Sequence, residues 1–313
     1  MAFTAPKETY SGKVYPVTIG TGDKAVTFGG ENVLPFHSFE GATPNRPVIA
    51  IEIQDVPPTD WPENVQKPYA AVSSDPVAWA KYCQDELKAK AIALRLVGTH
   101  PDRENRSPED AVKTVKDVLA AVQVPLIILG SNHAEKDTSV LIAVAEAAKD
   151  RNCIIGKAQE ANYKTIAAAA MANNHKLIAM SELDINLSKQ LNILISQMGF
   201  DKEKVITDPM CSALGYGLEY TYSVMERIRL AALTQNDVTM QQPLLGDVGM
   251  YVWKIKETSA SEADLPQWGA AEERGIAWEA ETAGALLIAG AELLIMRHPR
   301  AIKAVETLID ELV

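Results

Sequence analysis

From residue 47 onwards, short apolar runs alternate with longer segments in which apolar residues recur at helical spacing. Eight runs have the length of a strand: 47–53, 91–97, 124–129, 153–156, 176–180, 204–207, 243–246 and 291–296. Continuous apolar runs of this length are typical of parallel strands that are buried on both faces. The pattern therefore predicts an α/β fold built on eight parallel strands.

Capping residues mark the starts of helices between these runs. Asp75-Pro76 and Ser107-Pro108 each place a capping side chain before a proline, which is favoured at the first helical position. Asp184 can cap a helix over 185–198, and Gly199 can end it in the left-handed conformation. His298-Pro299 predicts the start of a last helix that continues to residue 312.

Eight strands that alternate with helices predict a (β/α)₈ TIM barrel over residues 46–313. The competing fold is a doubly wound open sheet, but residues 53–57 after its first strand contain no glycine for a phosphate loop. Residues 13–19 and 24–28 flank Gly20-Thr21-Gly22-Asp23, which we interpret as the turn of a β-hairpin. We therefore expect an N-terminal β-hairpin extension in residues 1–45.

The charge balance excludes two classes of partner. The chain of 313 residues has 30 basic and 41 acidic side chains, a net charge of −11, and no basic cluster. Nucleic acids and anionic membranes require clustered lysine and arginine. Residues 1–10 do not resemble a signal peptide, and the apolar stretch 283–296 is too short to span a bilayer. We expect a cytoplasmic protein.

Cysteine spacing excludes another class of site. Cys83, Cys153 and Cys211 are far apart, and no C-x-x-C pair occurs. A Cys₄ zinc site and a self-contained iron–sulfur cluster both need four closely spaced thiolates. We therefore predict no metal site on this chain.

In a TIM barrel the functional residues lie on the loops that follow the strands. Here those loops are rich in amides and hydroxyls, which suit ligand binding better than catalysis. We predict six cofactor-binding residues: Asn132, Gln159, Asn162, Ser181, Asp184 and Asp208. For Asp208, which precedes Pro209, the sequence leaves open whether the carboxylate caps a loop or binds a ligand.

Four side chains are candidates for direct chemistry, and each has a structural interpretation that we favour. Lys157 could form a Schiff base, but Glu160 suggests an ion pair instead. His100 and His133 could bind a metal, but their spacing matches no metal motif and Asn132-His133 can start a helix. Cys211 has no electropositive neighbour in sequence, which favours a buried structural thiol. We predict no catalytic residue.

The helix that follows Gly217 carries both charged and apolar residues. Glu226, Arg227 and Arg229 lie beside Leu230 and Leu233. This pattern predicts an amphipathic barrel helix whose charged residues form its outer face.

Several stretches resemble one protein family from end to end. They are VITDPMCSALGYGLEYTYSVMERIRLAAL (205–233), LPFHSFEG (34–41), NRPVIAIEIQDVPP (45–58), AEKD (134–137), LDINLSKQLNILI (183–195), ERGIAWEA (273–280) and LLIMRHP (293–299). They resemble the small, delta-type subunit of the corrinoid iron–sulfur protein in acetyl-CoA decarbonylase/synthase systems.

This resemblance implies a TIM barrel that forms a heterodimer with a large subunit. The large subunit would carry a [4Fe–4S] cluster and a mobile domain with a corrinoid (cobamide), which lies over the mouth of the small subunit's barrel. The assembly would take a methyl group from methyltetrahydrofolate through a separate methyltransferase. It would deliver that methyl to acetyl-CoA synthase in the reductive acetyl-CoA pathway of an anaerobe.

Two alternatives stay open. A pterin-binding methyltetrahydrofolate methyltransferase also has an Asp-Pro after strand six, as in Asp208-Pro209. Gly246-Asp247 here stands where that family uses an asparagine, and Arg95 stands where it uses an acid. The other alternative is a barrel without a ligand of its own that only brings subunits together.

Overall fold

A closed barrel of eight parallel strands forms the centre of the protein. The computed structural model describes residues 6–312. The barrel strands are β3 (Val48–Gln54), β4 (Ala91–Arg95), β5 (Leu126–Leu129), β6 (Ile154–Ala158), β7 (Lys176–Met180), β8 (Val205–Asp208), β9 (Leu244–Gly246) and β10 (Ala291–Met296). Each strand pairs with its neighbour in sequence, and β10 closes the barrel against β3. The predicted TIM barrel is confirmed.

The predicted hairpin is also present, as β1 (Val17–Ile19) and β2 (Val26–Phe28), which pair antiparallel. A turn at Gly22–Lys24 joins the two strands, as the sequence predicted for this segment. Val17, Ile19 and Phe28 are buried in one cluster with the inward-facing residues of the barrel strands. The hairpin therefore seals the barrel at the amino-terminal ends of its strands. Residues 1–5 and 313, at the outer ends of the two predicted segments, lie outside the described residues.

Helices surround the barrel. They are α1 (Glu63–Gln66), α2 (Pro76–Asp85), α3 (Pro108–Ala121), α4 (Ala134–Ala147), α5 (Tyr163–Ala172), α6 (Ile185–Gln197), α7 (Leu218–Leu233), α8 (Val248–Val252), α9 (Lys256–Ser259), α10 (Ala271–Ala289) and α11 (Pro299–Leu312). The predicted caps form: Asp75 accepts from the backbone of Val77, and Ser107 makes a capping box with Asp110. Within residues 6–312, no helix is long and apolar enough to cross a membrane.

The sequence pattern of α7 is misleading at one position. Arg229, predicted on the outer face, is buried, whereas Leu230 is exposed. The Arg229 guanidinium donates to the carbonyls of Gly290 and Gln242, and its Nη2 lies 2.6 Å from Oε2 of Glu292. Gly290 has φ 110° and ends α10, and a Cβ there would lie 2.7 Å from Arg229 Cγ. The arginine thus ties α7 to the junction of α10 and β10.

Candidate functional site

Six charged side chains meet inside the barrel at the carboxyl ends of the strands, which we call the mouth. Three are acids and three are cations, and all six are buried: Glu52, Asp208, Asp247, Arg95, Lys157 and Arg297. We refer to these six residues as the mouth network. Because buried charges are costly unless they are paired, their partners decide what the site can do.

One half of the mouth network lies around Glu52 of β3. Its Oε1 accepts from Arg297 Nη2 at 2.8 Å and from Arg95 Nε at 3.1 Å. Arg95 Nη2 then donates to both carboxylate oxygens of Asp247 at 2.9 Å. The Arg297 guanidinium also stacks on the ring of Trp61, with its carbon 4.5 Å from the ring centroid.

Lys157 forms the other half. Its Nζ lies 2.7 Å from Oδ2 of Asp247, which follows β9, and 2.8 Å from Oδ2 of Asp208, at the end of β8. The second Asp208 oxygen, Oδ1, accepts from the backbone of Met210 at 2.9 Å. The six charges therefore alternate along one connected chain that crosses the barrel.

The pairing sets the ionisation of Lys157 and Asp247. Burial would lower the pKa of Lys157, but the carboxylates of Asp208 and Asp247 raise it well above its ordinary value. Burial would raise the pKa of Asp247, yet Arg95 and Lys157 hold it below its ordinary range. A Schiff-base lysine needs a depressed pKa, so the charged Lys157 is unsuited to that chemistry.

The prediction that Lys157 forms an ion pair with Glu160 is wrong. Glu160 is exposed and makes no ion pair with any residue in 6–312. The backbone after β6 carries Glu160 outwards, whereas Lys157 lies on the strand itself and points into the barrel. Spacing along the chain suggested a local partner, but the closed barrel supplies two carboxylates from distant strands.

Cys211 is a buried structural thiol, as the sequence favoured. Its Sγ lies 3.7 Å from the carbonyl of Ser212, and burial raises its pKa well above the ordinary value. The thiolate, which is the nucleophilic form, is therefore disfavoured. Asp208, Cys211 and Ser212, although close in sequence, do not form a nucleophilic site.

The two rim histidines serve loop structure. Their rings pack edge to face with centroids 5.5 Å apart. His133 Nδ1 accepts from the backbone of Lys136 and caps α4, and His100 Nδ1 accepts from the backbone of Asp102. In the described part of the chain, no group of three side chains has the geometry of a metal site.

The six predicted cofactor-binding residues all lie at the mouth or its rim, but in different environments. Asp208 belongs to the mouth network. Asn162 uses its amide within the protein, because its Oδ1 accepts from the backbone of Gln159 and its Nδ2 donates to the carbonyl of Ala134. Asp184 is exposed and caps α6 through the backbone of Asn186 and Leu187.

The other three predicted residues present freer polar groups. Ser181 is 1% exposed, and its hydroxyl has no hydrogen-bond partner within residues 6–312. The amide of Gln159 is half-buried and lies 3.9 Å from the sulfur of Met180. The exposed Asn132 donates to the sulfur of Met250 at 3.3 Å. Asn132 follows β5, and Met250 lies in α8 after β9. Since β5 and β9 lie on opposite sides of the barrel, this contact spans the mouth.

Unpartnered polar atoms cluster at the same end of the barrel. Besides the Ser181 hydroxyl, Gln54 Oε1, Arg95 Nη1 and Asp208 Oδ2 are buried without a hydrogen-bond partner among the described residues. The Lys157 ammonium is close to that Asp208 oxygen, but the contact is an ion pair without hydrogen-bond alignment. Buried polar groups usually find a partner, so these atoms indicate bound water or a ligand at the mouth.

The stability of the rim should depend on pH through Asp55. Its Oδ1 accepts from the backbone of Gly98 at 2.9 Å, and burial raises its pKa from 3.8 to about 6. The folded protein therefore holds this proton more tightly, and the stabilisation is lost as the pH rises from 4 through 6. Between pH 4 and pH 6 the free energy of unfolding of the wild-type chain should therefore fall by up to about 3 kcal/mol more than that of the Asp55→Asn variant.

Urea unfolding between pH 4 and 8 measures this difference. The matched control is Asp102→Asn, since Asp102 is 93% exposed in its side chain. Equal pH slopes for the wild-type chain and Asp55→Asn would show that Asp55 ionises normally.

Comparison with solved structures supports the fold. Dihydropteroate synthase from Xanthomonas albilineans with 4-aminobenzoic acid superposes with a TM-score of 0.57 at 14% identity, covering 86% of this chain and 94% of that one. The Coxiella burnetii dihydropteroate synthase in complex with pteroic acid gives a TM-score of 0.57 at 11% identity, covering 89% and 98%. At these identities the likeness concerns the barrel fold alone.

Comparison of sequences identifies the family. The delta subunit from Methanothermobacter thermautotrophicus acetyl-CoA decarbonylase/synthase is 33% identical, covering 96% of this chain and 76% of the relative. The corresponding delta subunit of Archaeoglobus fulgidus is 34% identical, covering 99% and 71%. The family model described as CO dehydrogenase/acetyl-CoA synthase delta subunit matches residues 16–308. The chain therefore belongs to the family of CO dehydrogenase/acetyl-CoA synthase delta subunits.

Proposed function

We propose that this chain is the non-catalytic small subunit of a heterodimeric, cytoplasmic corrinoid iron–sulfur methyl carrier. In this proposal its barrel mouth shelters a corrinoid that the large subunit holds, and the [4Fe–4S] cluster belongs to the large subunit. The carrier receives its methyl group from methyltetrahydrofolate through a methyltransferase and passes it to acetyl-CoA synthase in the reductive acetyl-CoA pathway. Membership of the delta-subunit family supports the assignment to such a complex.

The observation that carries the proposal is the self-contained mouth network. Three buried acids are paired with three buried cations, so the candidate acids, bases and the amine are engaged with one another. General acid–base catalysis needs a titratable group near the operating pH and within reach of substrate. Each of the six groups already contacts an opposite charge within the network, so none is left unpaired to face a substrate, which favours a sheltering barrel over an independent catalyst.

The rim side chains fit the periphery of a corrinoid. The Ser181 hydroxyl and the Gln159 and Asn132 amides offer donors and acceptors that complement the carboxamides around a corrin ring. When bound, the corrinoid supplies a cobalt centre that accepts and donates the methyl group. The chain's own contribution in this proposal is to position the ring edge and to exclude water and oxidants.

Co-purification tests the proposal. Expressed alone, the chain should contain neither cobalt nor iron, and expressed with its large partner it should purify as a 1:1 complex that contains both. Elemental analysis and analytical ultracentrifugation give the two measurements. Near-stoichiometric cobalt or iron on the isolated chain would contradict the assignment of both cofactors to the partner.

A pterin-binding methyltransferase is the second candidate, because Asp208 ends β8 with one buried oxygen that lacks a hydrogen-bond partner in the described chain. That function predicts micromolar affinity of the isolated chain for methyltetrahydrofolate and loss of binding in Asp208→Ala. The ion pair between Lys157 and Asp208 argues against it, so we expect calorimetry to detect no such binding.

If the barrel only joined subunits, Gln159→Ala would leave the assembly's methyl-transfer rate unchanged.

A further inference from the structure

The Lys157 ammonium has the position of a bound ligand. It lies between two carboxylates, 2.7 Å from Asp247 and 2.8 Å from Asp208, and it reaches them from β6, which is not adjacent to β8 or β9 in the barrel. The four carbons of its side chain serve as a tether. The carboxylates themselves come from the ends of two neighbouring strands, so the site that they form does not depend on the conformation of β6.

The charge balance specifies what this site requires. Without Lys157, the mouth network would contain the acids Glu52, Asp208 and Asp247 against the cations Arg95 and Arg297. One negative charge would then be buried without compensation, which is strongly unfavourable. A single positive charge, and not a neutral group or a dication, restores the balance.

Unused acceptors define the ligand further. Asp208 Oδ2 has no aligned hydrogen bond within 6–312, although the ammonium is close to it. The Ser181 hydroxyl, also unpartnered in that range, lies at the end of the neighbouring strand β7, whose Met180 pairs with Asp208. Asp208 Oδ2 therefore has hydrogen-bonding capacity that the one tethered ammonium does not satisfy, and the site suits a cation with several N–H donors.

We propose that the mouth is a binding site for a monocationic ligand with N–H donors, and that the Lys157 side chain is its built-in occupant. Lys157 thereby determines which ligands the mouth can bind. Because its ammonium occupies the site, it excludes free amines and other ligands with cationic N–H edges. This inference does not depend on the corrinoid proposal, because it concerns only the contents of the barrel. Its failure would leave the co-purification test of that proposal unaffected.

Chemical rescue of a lysine deletion tests the inference. The Lys157→Ala variant of the full chain lacks the three carbons and the nitrogen that propylammonium can replace. We expect propylammonium chloride to raise its thermal unfolding midpoint by about 3 °C at ten times the dissociation constant, beyond the effect of equal sodium chloride. The wild-type chain, whose site is occupied, should not respond in this way.

Two controls separate a specific site from a general salt effect. Tetramethylammonium has the same charge but no N–H donor, and it should not rescue Lys157→Ala. The second control, Lys176→Ala, removes another buried lysine. The Nζ of Lys176 donates to Asn152 at 3.0 Å near the opposite end of the barrel. Propylammonium should not stabilise this variant. Equal responses of wild type, Lys157→Ala and Lys176→Ala would overturn the inference.

A double variant covers the case in which Lys157→Ala does not fold. Lys157→Ala with Asp208→Asn leaves two acids against two cations, so it should fold without amine and respond much less to propylammonium. Lys157→Ala itself should then refold only when propylammonium is present. Failure of both the amine and the second substitution to restore folding would show that Lys157 does not act through its charge in this site.

Discussion

Replacing Asp247 with asparagine should lower the free energy of unfolding by about 3–5 kcal/mol, the usual cost of removing one partner from a buried ion pair. Asp247 accepts from Arg95 with both carboxylate oxygens and pairs with Lys157 through Oδ2. A neutral amide cannot compensate both cations, and its NH₂ group would point a donor at one of them. The variant therefore leaves positive charge buried without a partner.

Urea unfolding at pH 7 measures this loss, with Asp310→Asn as the matched control. Asp310 pairs with Arg46 on the surface, where both side chains are more than half exposed. Exposed pairs of this kind contribute little, so the control should change stability by less than about 1 kcal/mol. Similar losses in the two variants would show that the mouth network is no more important than a surface pair.

The same variant should change the acid sensitivity of the protein. Arg95 and Lys157 overcome the effect of burial and hold the pKa of Asp247 below its ordinary 3.8. The stabilisation is therefore present above pH 4 and is lost as the pH falls through the depressed value. The difference in stability between wild type and Asp247→Asn should be constant from pH 5 to 8 and should narrow below pH 4. A difference that grows with acid would contradict the assigned ionisation.

The barrel could be predicted because its signal is local. Each strand is an apolar run that needs burial on both faces, and capping residues such as Ser107 and Asp184 mark the helices between the runs. The positions of rim residues follow directly, because the carboxyl ends of parallel strands meet at one end of a barrel. Asp208 and Ser181 were therefore expected at the mouth before their surroundings were known.

The pairing within the mouth network was not predictable from spacing. Arg95 and Asp247 are 152 residues apart, and Glu52 and Arg297 are 245 apart. One signal was available: Glu52 is a lone acid within the apolar run VIAIEIQ, and a buried acid requires a cation nearby. The sequence cannot say which of the arginines and lysines at the other strand ends supplies it, because that depends on strand register and barrel closure.

Arg229 shows the same limit on a helix. The buried positions of α7 include Met225, Ile228 and Leu233, so the inner face passes through residue 229 while Leu230 turns outwards. A hydrophobicity pattern places arginine outside and leucine inside. Here the reverse holds, because the buried carboxyl end of α10 and the strand β10 present acceptors that a long cation reaches.

Replacing Arg229 with methionine should lower the free energy of unfolding by about 3–5 kcal/mol, although it keeps an apolar side chain of similar length. The change removes the hydrogen bonds to the carbonyls of Gly290 and Gln242 and leaves Glu292 buried without its cation. Chemical denaturation measures the loss. The control is Arg227→Met on the same helix, where Arg227 is exposed and the change should be within about 0.5 kcal/mol.

The loss in Arg229→Met should also grow with pH. Burial raises the pKa of Glu292 well above 4.5, and Glu31 raises it further, whereas Arg229 opposes both effects. Without Arg229 the folded state holds the Glu292 proton still more tightly. Wild type and variant therefore lose stability in parallel until the pH reaches the raised pKa of Glu292 in the wild-type protein, and only above it does the variant lose more. We expect the loss caused by the substitution to be larger at a pH above that value than at pH 5. A loss independent of pH would show that the two carbonyls, and not Glu292, are the groups that Arg229 stabilises.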